Sequence, residues 1–556
     1  MSVKKYASTV STRVTPQSEA IPDTDQVQNS AGGYSFQITP WQKLDRFLIL
    51  GNEGGSYYAS EEKMTKANAK NVIDLIKKDG VAVVKRIVEI SDSGRAPKND
   101  PAIFALALAA KFGNLETRRA AFQSLARVAR IGTHLFSFAD AIEEFGGWSR
   151  GTRRAIQNWY LDKEPDDLAY QVVKYQQRNG RSHRDMLRLA HLYAPVAANS
   201  HKGLVEYIRT GNTEFNTPKI IAATELVKYL DPDVKDKDAV NTVLRFIETH
   251  NLPREVIPTQ FLNLPEVWEA LLQKMPMTAM IRNLATMTRI GLLTGNSDAT
   301  QKVVAELSDT ERLKKARVHP IQILMAMRTY DAGRGFRGQN TWSPVTQVTD
   351  ALNDAFYASF QFVTPSNKRH LLALDISGSM TLGEVAGVPG FTPREASAAM
   401  ALVTAKTEPR YEIVGFTAGG GGWGTGRYGI NYSWTSLTKI NISPRQKLTS
   451  AVEAVSNLPM GGTDCALPMI YAEKNKLEID AFVIYTDSET WAGNIHPVQA
   501  LKSYRQKTGI PAKLIVVGMV ANDFSIADSN DSGMLDVVGF DTSAPTVIGD
   551  FVANRL

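Results

Sequence analysis

The sequence predicts two structural classes in series: an all-α array of short helices, then an α/β domain with a doubly wound, mainly parallel sheet. Three observations carry that prediction. From about Trp41 to Phe360 apolar residues recur at helical spacing almost without interruption. Gly, Pro and Asn breaks cut this pattern into short segments. Beyond Pro344 short β-rich runs alternate with helical stretches, the pattern of a parallel sheet covered by helices on both faces.

Taken in order, the first thirty residues are rich in Ser, Thr, Asp and Gln and show no apolar period, so they read as a tail or strap, with 1–26 set apart as a flexible tail. In the helical part, Val83, Val84, Ile87 and Val88 form one apolar stripe and Leu168, Val172 and Tyr175 another. Breaks at Asp79-Gly80, Asn179-Gly180 and Asp231-Pro232 limit the helices to roughly 10 to 18 residues. That rhythm predicts stacked helical hairpins, a degenerate solenoid of the HEAT type without a strict repeat. The Gly- and Pro-containing stretch Asp331 to Pro344 looks like a connection between domains, and the boundary is set at 27–360 and 361–556. In the second domain strands are expected over His370–Leu374, Tyr411–Phe416, Ala481–Tyr485 and Lys513–Val517, with helices over Arg394–Thr407 and Pro497–Lys507.

Bulk properties narrow the class. A chain of 556 residues exceeds what one core usually supports, and 43% hydrophobic with 22% charged residues is an ordinary globular composition. No run approaches the roughly 18 apolar residues that span a bilayer, and the start lacks the apolar stretch of a secretory signal. A lone cysteine, Cys465, excludes an internal disulfide and a cysteine-based metal site. The expectation is a cytoplasmic, monomeric protein with no membrane partner. A net charge of +6 permits a polyanionic partner without demanding one.

A metal site is expected in the α/β domain. Its first strand runs into Asp375-Ile-Ser377-Gly-Ser379, a turn with three oxygen side chains at alternate positions, as hard cations such as Mg²⁺ require. DxSxS alone is a weak pattern, because Ser and Asp also cap helices and solvate loops. Thr463 in MGGTD and Asp487 at the end of AFVIYTD strengthen it. In an open α/β sheet both would fall in loops at the carboxyl edge, where distant loops converge. Gly419, Gly421 and Gly424 formally match GxGxxG after a strand, but no helix follows to hold a phosphate, so the glycine-rich stretch 418–426 reads as a surface loop.

The clearest polyanion signal lies between Leu168 and Leu192. Lys174 and Arg178 are spaced i and i+4, one turn apart on a helix. A second helix is expected to start at Ser182 with Asp185 completing a capping box, placing Arg184, Arg188 and His191 on one face and Arg181 in the turn before it. Several cations along a rigid surface are what phosphate binding needs, although such a face is more often merely solvated.

Several motifs together resemble the Ro autoantigen family, the TROVE-domain RNA-binding proteins. They are RFLILGNEGGSYY (Arg46 to Tyr58), RIGTHLFSF (Arg130 to Phe138), NWY, KYQQRNGRSHRDMLRLAHL (Lys174 to Leu192), KKARVHPIQIL (Lys314 to Leu324) and GGTDCALPMI. The DxSxS, Thr and Asp set likewise resembles the metal-ion-dependent adhesion site of the von Willebrand factor A domain. The resemblance runs from about Val27 to the C-terminus and implies a HEAT-like ring followed by that domain. It implies binding of small noncoding Y RNAs on the outer face, with contacts at Lys174, Arg178 and His191, and passage of the 3′ ends of misfolded RNAs through the ring. Ser377, Ser379 and Thr463 would bind one divalent cation directly, Asp375 and Asp487 through water, with a vertex left for a carboxylate from a protein partner. Family members commonly carry Trp where Arg181 stands here.

The functional expectation is therefore a non-enzymatic ribonucleoprotein scaffold in noncoding-RNA quality control, with an exoribonuclease or another protein as possible partner. A metal-dependent assembly module with incidental RNA binding is the alternative. Against an enzyme, there is no Walker A sequence, HExxH or GxSxG, and the eight histidines are scattered. His134, His319 and His370 are read as packed or capping residues.

Overall fold

Residues from Val14 to Gln37 are built into the fold rather than trailing from it. The computed structural model describes residues 14–51, 61–178, 180–193, 197, 199–213, 216–230, 236–335, 339–360, 363–385, 390–418, 437–445 and 447–555, with side chains described from residue 69 in the second helix. Strands β1 (Gln26–Gln28) and β2 (Tyr34–Gln37) form an antiparallel hairpin, with Gln17 and Asn29 buried beside it. This corrects the expectation of a flexible tail over 14–26. The segment is held by hydrogen bonds from polar side chains, which leave no apolar period to read.

Helices follow from Pro40–Leu50 to Thr346–Ala358. Most run 10 to 14 residues, within the expected range, and a few are shorter, down to six residues at Thr310–Lys315. The exception, Glu61–Ser93, is interrupted at Asp79 (φ −150°, ψ 70°), the break expected at Asp79-Gly80. The Asp231-Pro232 break lies outside the described residues, as do residues 419–426 of the glycine-rich loop and the 52–58 part of the first family motif. A two-residue hairpin interrupts the helices: β3 (Gln177–Arg178) pairs antiparallel with β4 (Arg181–Ser182).

Neighbouring helices pack in sequence order through most of the array, and its two ends then meet. Arg317 Nε donates to the carbonyl of Asp92 at 2.6 Å, Gln322 Nε2 to that of Pro97 at 3.0 Å, and His319 Nε2 to that of Arg95 at 3.2 Å. Residues about 225 apart are thus joined, and the helical array closes into a circuit.

The second domain is a six-stranded sheet of β5 (Arg369–Asp375), β6 (Arg410–Phe416), β7 (Leu437–Lys439), β8 (Ala481–Thr486), β9 (Lys513–Gly518) and β11 (Met534–Val538), while the short β10 (Phe524–Ser525) pairs with β2. The order is β11-β9-β8-β5-β6-β7, parallel except at the β6–β7 edge. Alternate residues face opposite cores: Leu371, Ala373, Phe482 and Ile484 on one side, Leu372, Leu374, Val483 and Tyr485 on the other. The second core is continuous with that of the helices, so both faces of the central strands are apolar, as buried parallel strands require.

Polar contacts fasten the two domains. Arg46, 1% exposed, makes a bidentate ion pair with Asp536 at 2.8 and 3.0 Å and donates to the carbonyls of Asn522 and Phe524. Arg95 pairs with Asp541 at 2.6 Å. His319 donates from Nε2 to Phe540 O at 2.9 Å and accepts at Nδ1 from the backbone N–H of Ile321, capping the helix Pro320–Asp331 as expected of a capping histidine.

Candidate metal centre and nucleic-acid interface

The chain leaves β5 for one neighbour, β6, and returns on the other side as β8, so the loops after β5 and β8 meet at the switch point of the sheet. Asp375 ends β5 and Asp487 follows β8 directly. The Thr463 loop joins them: Gly378 N donates to Gly461 O at 3.1 Å, and the backbone N–H groups of Trp491 and Ala492 donate to Thr463 O at 3.2 and 3.0 Å. All five expected metal residues are buried on these three loops.

Within this set Asp375 accepts from Ser377 N at 2.9 Å and from Thr486 Oγ1 at 2.6 Å. The hydroxyls of Ser377 and Ser379 lie 3.1 Å apart, Ser379 also bonds the Asp487 carboxylate, and Asp487 accepts from Glu489 N at 3.0 Å. Burial, and then the neighbouring charge of Asp487, pushes Asp375 up to about 7; burial also raises Asp487. Arg394, near enough to interact with Asp375, commits its guanidinium to the carbonyls of Val455 and Leu458. Thr463 Oγ1 is buried with no hydrogen-bond partner.

An unpaired buried hydroxyl and two crowded carboxylates are each unfavourable alone, and a divalent cation would relieve both. The residues therefore fit a hard cation. Among the described residues no group of three or more His, Cys, Asp or Glu side chains could hold a metal ion. Sequence reading missed Thr486, which orients Asp375, and Asn522, whose side-chain amide donates to Asp487 O. Neither lies in a spaced motif.

The basic segment departs from its expected geometry. The helix Pro165–Lys174 ends at Lys174, with Tyr175 (φ −112°, ψ 60°) as its cap, so Lys174 and Arg178 do not share a helix. Gly180 at φ 76° turns the chain instead, and Arg178 sits on β3. Asn-Gly is a hairpin signal as well as a helix break. The capping box does form: Asp185 N donates to Ser182 Oγ and Ser182 N to Asp185, starting the helix His183–Ala190.

On this platform Arg184 and Arg188 are exposed, with Arg188 3.5 Å from Asp185. His191 is exposed in the left-handed conformation just past the helix (φ 57°). Arg178 pairs loosely with Asp100 at 3.3 Å. Lys174 is half-buried against the rings of Tyr170 and Tyr175, and burial lowers its pKa. Arg181 is the clear departure, held at 2.5 Å by Asp140 and 2.7 Å by Glu143 and only 15% exposed. Arg209 and Lys228, not singled out from sequence, line a polar groove with Arg184, each beside an acid three residues earlier on its own helix.

The TROVE domain family matches residues 27–229 and 248–368, and the Ro60 vWA domain family matches residues 369–552. The chain is 41% identical over 548 residues to RNA-binding protein RO60 of Deinococcus radiodurans, covering 97% of this chain and 98% of the relative. It is 36% identical over 619 residues to RNA-binding protein RO60 of Caenorhabditis elegans, covering 98% and 92%. A crystal structure of the Deinococcus radiodurans RO (RSR) protein superposes with a TM-score of 0.65 at 40% identity, covering 93% of this chain and all of that one. A helical TROVE region followed by a von Willebrand factor A domain, matched over nearly the whole chain, places this protein in the Ro family.

Proposed function

We propose that this protein is an RNA-binding component of ribonucleoprotein particles that holds small noncoding, Y-like RNA and the 3′ ends of misfolded noncoding RNA, without chemistry of its own. The observation that carries the reading is the exposed group of cations Arg178, Arg184 and Arg188, with His191 beside them, on a capped helix and its hairpin. Two relatives that match almost end to end carry RNA binding in their names. A rigid surface of this kind meets phosphates without ordering long side-chain-bearing loops, and each neutralised phosphate releases counterions.

The metal centre gives this scaffold a second task. Bound by Ser377, Ser379 and Thr463, with Asp375 and Asp487 behind them, a Mg²⁺ ion would offer a Lewis-acidic vertex to a carboxylate of a protein partner, for example an exoribonuclease. Among the described residues no helix is long and apolar enough to cross a membrane.

A gel-shift titration at two salt concentrations, using a structured RNA with a single-stranded 3′ tail, tests the reading. Wild type should bind, and the RNA should be recovered intact. Arg178→Ala/Arg184→Ala/Arg188→Ala should weaken binding and flatten the slope of log affinity against log salt by about 2 to 3, roughly 0.7 to 0.9 per lost contact. Equal binding by both proteins, or cleaved RNA, contradicts the proposal.

A further inference from the structure

Gln17, in the N-terminal segment Thr15-Pro16-Gln17-Ser18, is fully buried. Every hydrogen-bonding position of its amide is used. Nε2 donates to Asp464 Oδ1 at 2.7 Å and to Ile495 O at 2.8 Å, while Oε1 accepts from Thr490 Oγ1 at 2.5 Å and from Gly493 N at 3.2 Å. These partners belong to the two loops that carry Thr463 and Asp487. Asp464 follows Thr463 and also accepts from Ala466 N at 3.0 Å, and Thr490 Oγ1 in turn accepts from Cys465 N at 3.1 Å. One amide from the N-terminal strap therefore ties the second metal loop to the third.

The fit is close on all sides. A methyl group at Gly493 would collide with Gln17 Nε2 and Asp464 Oδ1, and one at Gly33 with the carbonyl of Thr490. Asn29 Nδ2 holds that same carbonyl at 2.8 Å, so the strap grips the Asp487 loop at two points. Without Gln17, the Asp464 carboxylate and the Gly493 N–H would lose partners inside the protein, and the loops would reorganise to rehydrate them.

We propose that Gln17 is a positioning residue for the divalent-cation site, fixing the spacing between the Thr463 and Asp487 loops so that the metal affinity of the C-terminal domain depends on the N-terminal strap. This rests on the reading of that site as a cation site. Groups that orient metal ligands typically contribute 10- to 100-fold to affinity.

The test is Mn²⁺ binding to the full-length protein, followed by titration calorimetry and by the electron paramagnetic resonance of free Mn²⁺. Wild type, Asp375→Asn, Gln17→Met and Gly493→Ala are compared, with Thr24→Ala on the exposed part of the strap as control. Gln17→Met keeps the volume and removes the hydrogen bonds; Gly493→Ala retains the Gln17 side chain but pushes its amide aside, should the first variant fold poorly. The expected result is Mn²⁺ binding by wild type and Thr24→Ala, none by Asp375→Asn, and a dissociation constant raised about 10- to 100-fold in the other two, with RNA affinity unchanged. If Asp375→Asn abolishes binding while Gln17→Met and Gly493→Ala bind as tightly as wild type, the metal site stands and the role of Gln17 is overturned. If wild type binds no Mn²⁺, both fall together.

Discussion

Thr463 and His319 show how single side chains report on the whole. The unpaired Thr463 hydroxyl costs about 1 to 3 kcal/mol in the metal-free protein. Thr463→Val should therefore be at least as stable as wild type in chelator, yet lack the rise in melting temperature that Mn²⁺ should give wild type. Retention of that rise by the variant would remove Thr463 from the site. His319 is held neutral by its contacts: its Nδ1 must accept from Ile321 N while Nε2 donates to carbonyls, and burial lowers its pKa to about 4 despite Asp541 nearby. The unfolded chain, with a histidine near 6.5, takes up the proton first. Stability is thus complete above about pH 6.5 and falls as pH drops towards 4, by up to about 3 kcal/mol. Melting curves of wild type and His319→Gln should differ at pH 7.5 and converge at pH 4.5; a constant gap would refute the assignment.

Between residues and domains, the basic element divides into cations that face solvent and cations that brace the fold. Arg181 spans to the helix Gly132–Glu144 through Asp140 and Glu143, whereas Arg188 is 76% exposed. Arg181→Ala should lower stability by about 1 kcal/mol, more than the usual loss at a fully exposed pair, with little change in the salt dependence of RNA binding. Arg188→Ala should do the reverse, which denaturant unfolding and filter binding can separate. The sequence showed that this segment was cationic and where its second helix begins, since the Ser182-Asp185 capping box is a local signal. It did not show that the first helix stops at Lys174, because the apolar stripe continues formally to Tyr175 and only the hairpin pairing ends it. The strap was illegible for a related reason: Gln17 and Asn29 are placed by partners more than 440 residues away, which no local period records.

Across the whole molecule, the alternation of strands and helices was legible because buried parallel strands impose it: the four expected strands all lie within β5, β6, β8 and β9. The meeting of the loops after β5 and β8 was legible for the same reason, since sheet topology brings strand ends to one edge, whereas the Thr463 loop lies between two helices and is joined to those loops by backbone hydrogen bonds. The seam between domains was not, because it is made by isolated residues such as Arg46 and Asp536. Removing one member of a buried ion pair costs about 3 to 5 kcal/mol, so Arg46→Met should split a single calorimetric unfolding transition into two. One undivided transition at lower temperature would instead mean that the hydrophobic continuity of the two domains suffices to couple them.

The most direct test of RNA binding at the proposed surface is photo-crosslinking of a 4-thiouridine-substituted structured RNA to the full-length protein, with the attached peptides identified by mass spectrometry. The prediction is attachment concentrated on peptides spanning Lys174 to His191 and on those carrying Arg209 and Lys228, lost when unmodified RNA competes. Crosslinks confined to the C-terminal domain, or spread evenly over the surface, would contradict it.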